Sequence, residues 1–319
     1  MNNNKVGFIF PGQGSQYIGM GKDFYHEFKE CKDVFDEMDD SLKMNLSKMC
    51  FDGAEEDLMK TENTQPTIIA TSVAILKAME KQGINCEYTA GLSLGEYSAL
   101  VCGGVLDLSD TFKIARERGL YMQQAVPNGT GGMAAILGLE VEEVFKAILA
   151  AEKFGIVEIA NYNSPGQIVI SGEKAGVEAA CEEALRLGAK KAVNLSVSSP
   201  FHSSLLISAG ERLGELLSTI NIEEPKKSIV SNVDVKIIKS KDEIIPKLVK
   251  QVSSSVLWQQ SVELMMNNGV NTFIELGPGK SLTGFVKRIG KKLNKDIRSI
   301  NISDVGSFNN ALVLLKGVS

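Results

Sequence analysis

The residues best able to do chemistry lie at positions 91–95, where the chain reads Gly-Leu-Ser-Leu-Gly. A serine with a glycine two positions before and after it suits a sharp strand-to-helix turn, because small residues let neighbouring backbone pass close. An apolar segment ends at Ala90, and residues 96–102 favour a helix that a Gly-Gly pair then ends. This context predicts that Ser93 is a nucleophile, although the five-residue pattern alone also fits an ordinary glycine-rich turn.

Only two histidines, His26 and His202, could serve as the base for such a serine. His26 falls in a charged amphipathic segment at 23–32, which indicates a surface position. His202 falls where the chain returns from a small inserted domain, and clefts form between domains. The sequence therefore predicts His202 as the base.

The segment at 109–126 is predicted to be a helix with one unusual charge. On a 3.6-residue repeat, Arg118 shares a face with small and apolar residues, whereas Arg116 lies on the other side. A buried guanidinium needs an anionic partner. That partner is either a carboxylate of this chain or a ligand, and the pattern does not decide between them.

The elements that must position these residues alternate between strand and helix. Strands are predicted at 6–10, 87–90 and 272–276, and Pro66 is expected to open a buried helix at 66–82. The pattern indicates an α/β fold. Two phosphate-binding motifs are rejected, because Tyr17 replaces a required glycine of the dinucleotide fingerprint and Ile274 replaces one of the Walker motif.

A second, smaller unit is predicted after the Gly- and Pro-rich stretch at 127–132. From there the elements follow the order βαββαβ, which is typical of a ferredoxin-like domain. We therefore predict a small subdomain at 128–196, inserted into a large subdomain made of residues 1–127 and 197–319.

The composition excludes several classes of protein. The 319 residues, 44% of them hydrophobic, are enough for a substantial core, and the net charge of -5 gives no reason to expect nucleic-acid binding. No signal peptide or membrane-spanning run is expected. The five cysteines are scattered without metal-ligand spacing, which favours a reduced, cytoplasmic setting and no metal site.

Seven segments, in order along nearly the whole chain, match the motifs of one family. They are Phe-Pro-Gly-Gln-Gly-Ser-Gln at 10–16, the run at 91–100, Arg-Gly at 118–119 with Met-Gln at 122–123, residues 161–172, Pro-Phe-His-Ser at 200–203, Trp258 with Ser-Val-Glu at 261–263, and Glu-Leu-Gly-Pro-Gly at 275–279. Together they resemble the malonyl-CoA:acyl carrier protein transacylase family of bacterial fatty-acid synthesis.

This resemblance implies an α/β-hydrolase-like large subdomain with a ferredoxin-like insert. It also implies transfer of a malonyl group from malonyl-CoA to the phosphopantetheine thiol of acyl carrier protein, through a malonyl-serine intermediate and without a resident cofactor. The residues it implies are Ser93 as nucleophile, His202 as base, Arg118 on the malonyl carboxylate, the backbone N–H groups of Gln13 and Leu94 as oxyanion hole, the main-chain carbonyl of Gln251 as the group that orients His202, and Asn163 near the site.

Two positions depart from the family pattern. Leu92 stands where the family usually has histidine, and this difference is expected to change the shape of the acyl pocket beside the nucleophile. Ser255 stands where the family often has proline, and this difference bears only on the stiffness of the loop near Gln251.

Other functions remain open at this point. A serine hydrolase or thioesterase would use Ser93 and His202 with water as acceptor, and acids such as Asp107 or Glu140 could orient the histidine. A malonyltransferase serving a polyketide synthase would use the same site. A non-catalytic module that binds carrier protein is a third class. A basic cluster at 287–298 is either a solvated face or a docking surface for an acidic carrier protein.

Overall fold

The computed structural model describes residues 5–127, 129–197 and 199–316. The strands are β1 (Lys5–Phe10), β2 (Tyr88–Gly91), β3 (Gly131–Leu137), β4 (Val157–Ser164), β5 (Gln167–Glu173), β6 (Lys191–Asn194), β7 (Ser228–Ile229), β8 (Val270–Leu276) and β9 (Arg298–Ile302). The helices are α1 (Lys22–Glu27), α2 (Lys29–Leu42), α3 (Leu46–Asp52), α4 (Glu55–Leu58), α5 (Thr61–Lys81), α6 (Gly95–Cys102), α7 (Leu108–Gln124), α8 (Val141–Ala151), α9 (Lys174–Arg186), α10 (Ile207–Leu217), α11 (Ile244–Val252), α12 (Trp258–Asn267), α13 (Ser281–Lys292) and α14 (Val305–Lys316). Across these ranges, no helix combines the length and the apolar character needed to cross a membrane.

The larger sheet is parallel, with its strands in the order β7-β2-β1-β8-β9. Successive side chains of the central strand point to opposite faces. Phe8 and Phe10 pack into a core with α5, whereas Ile9 packs into a second core with α12 and α13. Burial on both faces explains why β1 is a continuous apolar run and not an alternating one.

Parallel pairing brings two loops to the same edge of this sheet. Phe10 of β1 lies opposite Gly91 of β2 in the register. The loop after β1, which carries Gln13, therefore lies beside the turn that carries Ser93. Ligands of open α/β sheets bind outside the carboxyl ends of the strands, which is the edge formed here.

Helix α5 begins at Thr61, so the prediction that Pro66 opens it is wrong. Proline inside a helix leaves the carbonyl four residues earlier without its usual donor. Arg116 of α7 supplies a replacement, since its guanidinium donates to the Glu62 carbonyl at 3.3 Å and to the side chain of Asn63 at 2.9 Å. A tertiary contact thus lets the helix extend past the proline.

Two smaller boundaries also differ from prediction. The segment predicted as one helix at 23–32 is divided at Phe28, whose backbone is extended, so that α1 ends and α2 begins there. The predicted helix at 109–126 starts at Leu108, because Asp107 is the N-cap and accepts from the backbone N–H groups of the two residues after Leu108.

The smaller sheet is antiparallel, with the order β4-β5-β3-β6. Its elements follow the predicted sequence of strand, helix, strand, strand, helix and strand. Its own apolar core is formed with α8 and α9. Strand β4 is also tied to the rest of the protein, because Val256 donates to the Ala160 carbonyl and accepts from the Tyr162 N–H.

Candidate active site

Ser93 lies at the predicted sharp turn between β2 and α6, with a φ of 52°. A side chain on either flanking glycine would collide with backbone. A Cβ on Gly91 would lie 1.9 Å from the carbonyl carbon of Gly95, and a Cβ on Gly95 would lie 2.1 Å from the Phe10 carbonyl oxygen. The strand-turn-helix geometry predicted from the glycine spacing is therefore confirmed, and it holds the serine in left-handed backbone that non-glycine residues seldom adopt.

The hydroxyl of Ser93 faces His202. Ser93 Oγ and His202 Nε2 are 2.6 Å apart, and His202 Nδ1 lies 2.9 Å from the main-chain carbonyl oxygen of Gln251. A carbonyl only accepts, so Nδ1 must carry the proton and Nε2 is left free to accept from the serine. The three residues come from the turn after β2, the loop before α10 and helix α11.

The imidazole of His202 is neutral at ordinary pH. Burial, and after it the nearby charge of Arg118, lower the pKa of His202 to about 4. The other histidine, His26, is exposed on α1 with its ring against the edge of Tyr25. The structure therefore places His202, and not His26, beside Ser93.

The guanidinium of Arg118 is buried beside the same hydroxyl, with only 1% of the residue exposed. One terminal nitrogen donates to Gln65 Oε1 at 2.9 Å, and the other donates to Gln251 Oε1 at 3.1 Å and to Ser93 Oγ at 3.2 Å. The ring of Tyr97 lies 5.4 Å from its central carbon. All of these partners are neutral.

No carboxylate pairs with Arg118 anywhere in the described residues, and its Nε has no hydrogen-bond partner among them. A buried cation normally needs an anion. The helix pattern left two possible partners for Arg118, a carboxylate of this chain or a ligand. No such carboxylate is found in the described residues, so the arrangement favours a ligand that carries an anionic group.

The site opens into a cavity of about 880 Å³ between the two sheets. Its wall includes Ser93, His202 and Arg118, together with the side chain of Leu92. Leu92 therefore lines the same cavity as the Ser93 hydroxyl. Pockets of this size accommodate a small-molecule substrate.

The remaining predicted residues surround this cavity. Gln13 lines it, and its side chain accepts from Gln65 at 3.4 Å. Leu94 is buried at the start of α6. Asn163 of β4 lines the cavity with a buried Oδ1 that has no hydrogen-bond partner within the described part of the chain. Ser255, in the loop after α11, donates to the Ile159 carbonyl and so attaches this loop to β4.

Three polar residues at the site were not anticipated from the sequence: Gln65, Asn232 and Glu96. Asn232 accepts from the Ser93 N–H at 2.8 Å and donates to the Gly91 carbonyl at 2.8 Å, so it holds both sides of the turn. Glu96 of α6 accepts from the side-chain amide of Gln251 at 2.6 Å. The only local signal in the sequence for any of these three residues was that Glu96 is a single acid in an otherwise apolar helix.

A parallel α/β sheet that presents a serine on a sharp turn beside a neutral histidine is typical of enzymes that act on acyl groups through a serine. The comparison with known proteins narrows this class. The acyl transferase domain family matches residues 7–308, and the chain belongs to this family.

Similar proteins cover nearly the whole chain. A malonyl CoA-acyl carrier protein transacylase of Bacillus subtilis (strain 168) is 44% identical over 314 residues, which are 98% of this chain and 98% of that protein. The crystal structure of a transacylase of the same name from Clostridium perfringens is 44% identical with a TM-score of 0.93, and 98% of each chain is covered. A malonyl-transacylase in complex with its type II PKS acyl-carrier protein is 40% identical with a TM-score of 0.93, covering 97% of this chain and 99% of that one.

Proposed function

We propose that this protein transfers a malonyl group from malonyl-CoA to the phosphopantetheine thiol of acyl carrier protein, and thereby supplies extender units for fatty-acid synthesis. The observation that carries the proposal is the buried Arg118 guanidinium, which lies 3.2 Å from the Ser93 hydroxyl and has only neutral hydrogen-bond partners among the described residues. A malonyl thioester carries one carboxylate beyond the reacting carbonyl. The names of the relatives agree with this substrate and this acceptor.

The first half-reaction forms the malonyl-serine bond. Ser93 Oγ attacks the thioester carbonyl while His202 Nε2 takes the hydroxyl proton. The carbon–sulfur bond then breaks, and the coenzyme A sulfur leaves with the proton returned by His202. The Gln251 carbonyl keeps Nδ1 protonated and stabilises the imidazolium as it forms.

The tetrahedral intermediate needs donors for its oxyanion. The backbone N–H groups of Gln13 and Leu94 are suited to this role, since neither donates a hydrogen bond to any other residue that the structure describes. Both lie at the carboxyl edge of the parallel sheet. A single donor of this kind contributes about 3 kcal/mol in comparable sites.

The second half-reaction reverses these steps with a different thiol. The phosphopantetheine thiol gives its proton to His202 and attacks the malonyl-serine ester, after which Ser93 recovers the proton. Arg118 holds the malonyl carboxylate throughout by a charge-assisted pair, which its neutral partners do not supply. Asn163, with its free buried oxygen, is available to a donor on the substrate.

We also propose the division into subdomains that the sequence indicates. The parallel sheet supports an α/β-hydrolase-like subdomain of residues 1–127 and 197–319. The order β4-β5-β3-β6 with two helices supports a ferredoxin-like subdomain at 128–196. The five free cysteines support a cytoplasmic location, where thiols stay reduced.

The test is intact-mass measurement after mixing with malonyl-CoA, followed by addition of acyl carrier protein that bears phosphopantetheine. A single malonyl group should appear on the protein and then move to the carrier. If the adduct is lost to water without carrier protein as fast as it is transferred in its presence, the serine hydrolase is favoured instead.

The geometry of His202 weighs against that hydrolase. The acids that chain order left available lie elsewhere, because Asp107 caps α7 and Glu140 is exposed before α8. A malonyltransferase serving a polyketide synthase remains a second candidate, because one similar structure contains a type II PKS carrier protein. Comparing fatty-acid and polyketide carrier proteins as acceptors separates these two functions.

His202→Ala should slow formation of the malonyl adduct by about a hundredfold or more, because the serine loses its general base. Rapid-quench measurement of the adduct gives this rate directly. His26→Ala is the matched control and should leave the rate unchanged. A slow His26 variant beside a fast His202 variant would reverse the assignment.

Reversal of charge in the basic cluster at 287–298 tests carrier docking. Lys291 and Lys292 are exposed at the end of α13, whereas Arg288 and Lys295 already bond to Gln167, Asn267 and the Met266 carbonyl. Changing Lys291 and Lys292 to Glu should raise the KM for carrier protein several-fold and leave the KM for malonyl-CoA unchanged.

The control for that experiment reverses Lys81 and Lys239, which are exposed outside the cluster, so that the net charge changes equally. If both double variants raise the KM for carrier protein to the same extent, the effect belongs to overall charge. Unchanged kinetics in the Lys291 and Lys292 variant would identify the cluster as a plain solvated face.

A further inference from the structure

A carboxylate that the reaction does not use is buried directly beneath the nucleophile. Glu96, three residues after Ser93 on α6, is 1% exposed. It lines no part of the cavity wall and touches no reacting atom. Its hydrogen bonds nevertheless lead to two of the groups that hold the site together.

The first of these groups is the Gln251 side chain. Its Nε2 donates to Glu96 Oε2 at 2.6 Å and to the Ser93 carbonyl at 3.0 Å, while its Oε1 accepts from Arg118 at 3.1 Å. The opposite orientation of the amide would set its oxygen against two acceptors and its nitrogen against a donor. An ionised Glu96 therefore fixes which end of Gln251 faces Arg118.

The second group is Asn232. Its backbone N–H faces both carboxylate oxygens of Glu96 at 3.4 Å, and its side chain accepts from the Ser93 N–H and donates to the Gly91 carbonyl. One carboxylate thus contacts the residue that holds the turn and the residue that holds Arg118. Gln251 also orients His202 through its main-chain carbonyl.

We propose that Glu96 is a positioning residue whose ionised carboxylate keeps Gln251, and through it Arg118, in the arrangement that accepts the malonyl carboxylate. The proposal deepens the proposed function and rests on it. Protonation removes the charge to which both donors bond. An O–H on Glu96 Oε2 would face Gln251 Nε2, itself a donor, so Gln251 would have to turn its oxygen to Glu96 and away from Arg118. An O–H on Oε1 would face the Asn232 N–H and leave Gln251 a neutral acceptor in place of a carboxylate.

The surroundings of Glu96 bring its pKa into the range of ordinary pH. Burial raises the pKa of Glu96 to about 7, against the opposing effects of the bonds from Gln251 and Asn232 and of the charges of Lys247 and Arg118. Lys247 of α11 is itself paired with Asp234 and Glu243. On α6, burial raises the pKa of Tyr97 to about 12, so its phenol stays neutral.

The experiment is the pH dependence of malonyl-serine formation from malonyl-CoA, in the wild type and in Glu96→Gln. In the wild type, kcat/KM should fall about tenfold per pH unit below about pH 7, where Glu96 takes a proton. The pKa of His202, at about 4, is too low to cause this decline. Glu96→Gln should be about ten- to a hundredfold slower at about pH 8, with no further decline down to about pH 5.5.

The matched control is Glu275→Gln. Glu275 is equally buried, at 0% exposure, and accepts from Leu282 and Thr283 at the start of α13, away from the cavity. This variant loses a buried carboxylate and should keep the wild-type pH profile. An ionisation of the substrate would appear equally in all three proteins.

Thermal unfolding of each variant separates loss of fold from loss of positioning. A decline near pH 7 that persists in Glu96→Gln would overturn the proposal, and so would a wild type with no decline above about pH 5. Either result would still be obtained with a protein that forms the malonyl adduct, so the proposed function would stand. If no adduct forms in the wild type at any pH, it is the proposed function that fails.

Discussion

Ser93→Ala is expected to abolish the malonyl-protein adduct and to lower transfer to carrier protein by roughly 10⁵- to 10⁶-fold. The substitution removes the one oxygen that attacks the thioester, together with its bonds to His202 and Arg118. The Cβ that the turn accommodates remains, so the strain at this φ does not change. Intact-mass measurement of the adduct and steady-state transfer rates give the two readouts.

Ser98→Ala is the matched control for that loss. Ser98 lies on α6, is fully buried, and carries an Oγ that bonds to no other described residue. Its substitution also removes a serine Oγ, from the helix that follows the Ser93 turn, and should leave adduct formation intact. An undiminished adduct on Ser93→Ala would contradict the assignment. Cys102 would be a poor replacement, because its contact with Cys86 and its burial raise its pKa well above the ordinary value of a thiol.

The turn at Ser93 could be predicted because its cause is local. Both glycines are required by backbone contacts within the strand-turn-helix unit and with the neighbouring strand β1. The spacing in the sequence carries that requirement directly. The order of elements in the smaller sheet was predictable for the same reason, since each strand and helix has its own hydrophobic period.

The start of α5 shows where local rules fail. Proline in the first turn is a common helix signal, yet here the helix begins five residues before Pro66. The competing factor is tertiary, because Arg116 supplies a donor from another helix to the Glu62 carbonyl. Arg116 is 54 positions away in sequence, so no local pattern reports this contact.

Arg118 was predicted in part. The helical repeat indicated that its side chain is buried, and the structure agrees. The repeat could not show that its partners would be the neutral side chains of Gln65 and Gln251. The supporting residues Asn232 and Glu96 were missed because they act through contacts such as Asn232 with Ser93, 139 residues apart.

Arg118→Ala is expected to lower malonyl transfer by about a hundred- to a thousandfold, while acetyl transfer falls little or rises. A desolvated, charge-assisted pair with the malonyl carboxylate is lost, and such pairs contribute about 3 kcal/mol. An acetyl thioester has no carboxylate, so it loses nothing of this kind. The ratio of kcat/KM for malonyl-CoA to that for acetyl-CoA is the quantity to measure.

The electrostatics of His202 add to this difference. The charge of Arg118 is the second cause, after burial, of the low pKa of His202. A bound malonyl carboxylate offsets that charge, so the base becomes stronger when the correct substrate arrives. With acetyl-CoA the charge stays uncompensated in the wild type, and its removal in Arg118→Ala should strengthen the base and favour acetyl transfer.

Arg116→Ala provides the matched control on the same helix. Arg116 bonds to the Glu62 carbonyl and to Asn63, outside the set of groups that contact Ser93. Its loss should lower the unfolding temperature and leave the malonyl-to-acetyl ratio close to that of the wild type. If Arg118→Ala lowers both activities equally, as a general loss of structure would, Arg118 does not bind the carboxylate. The substrate's charge must then be recognised by another residue of the cavity.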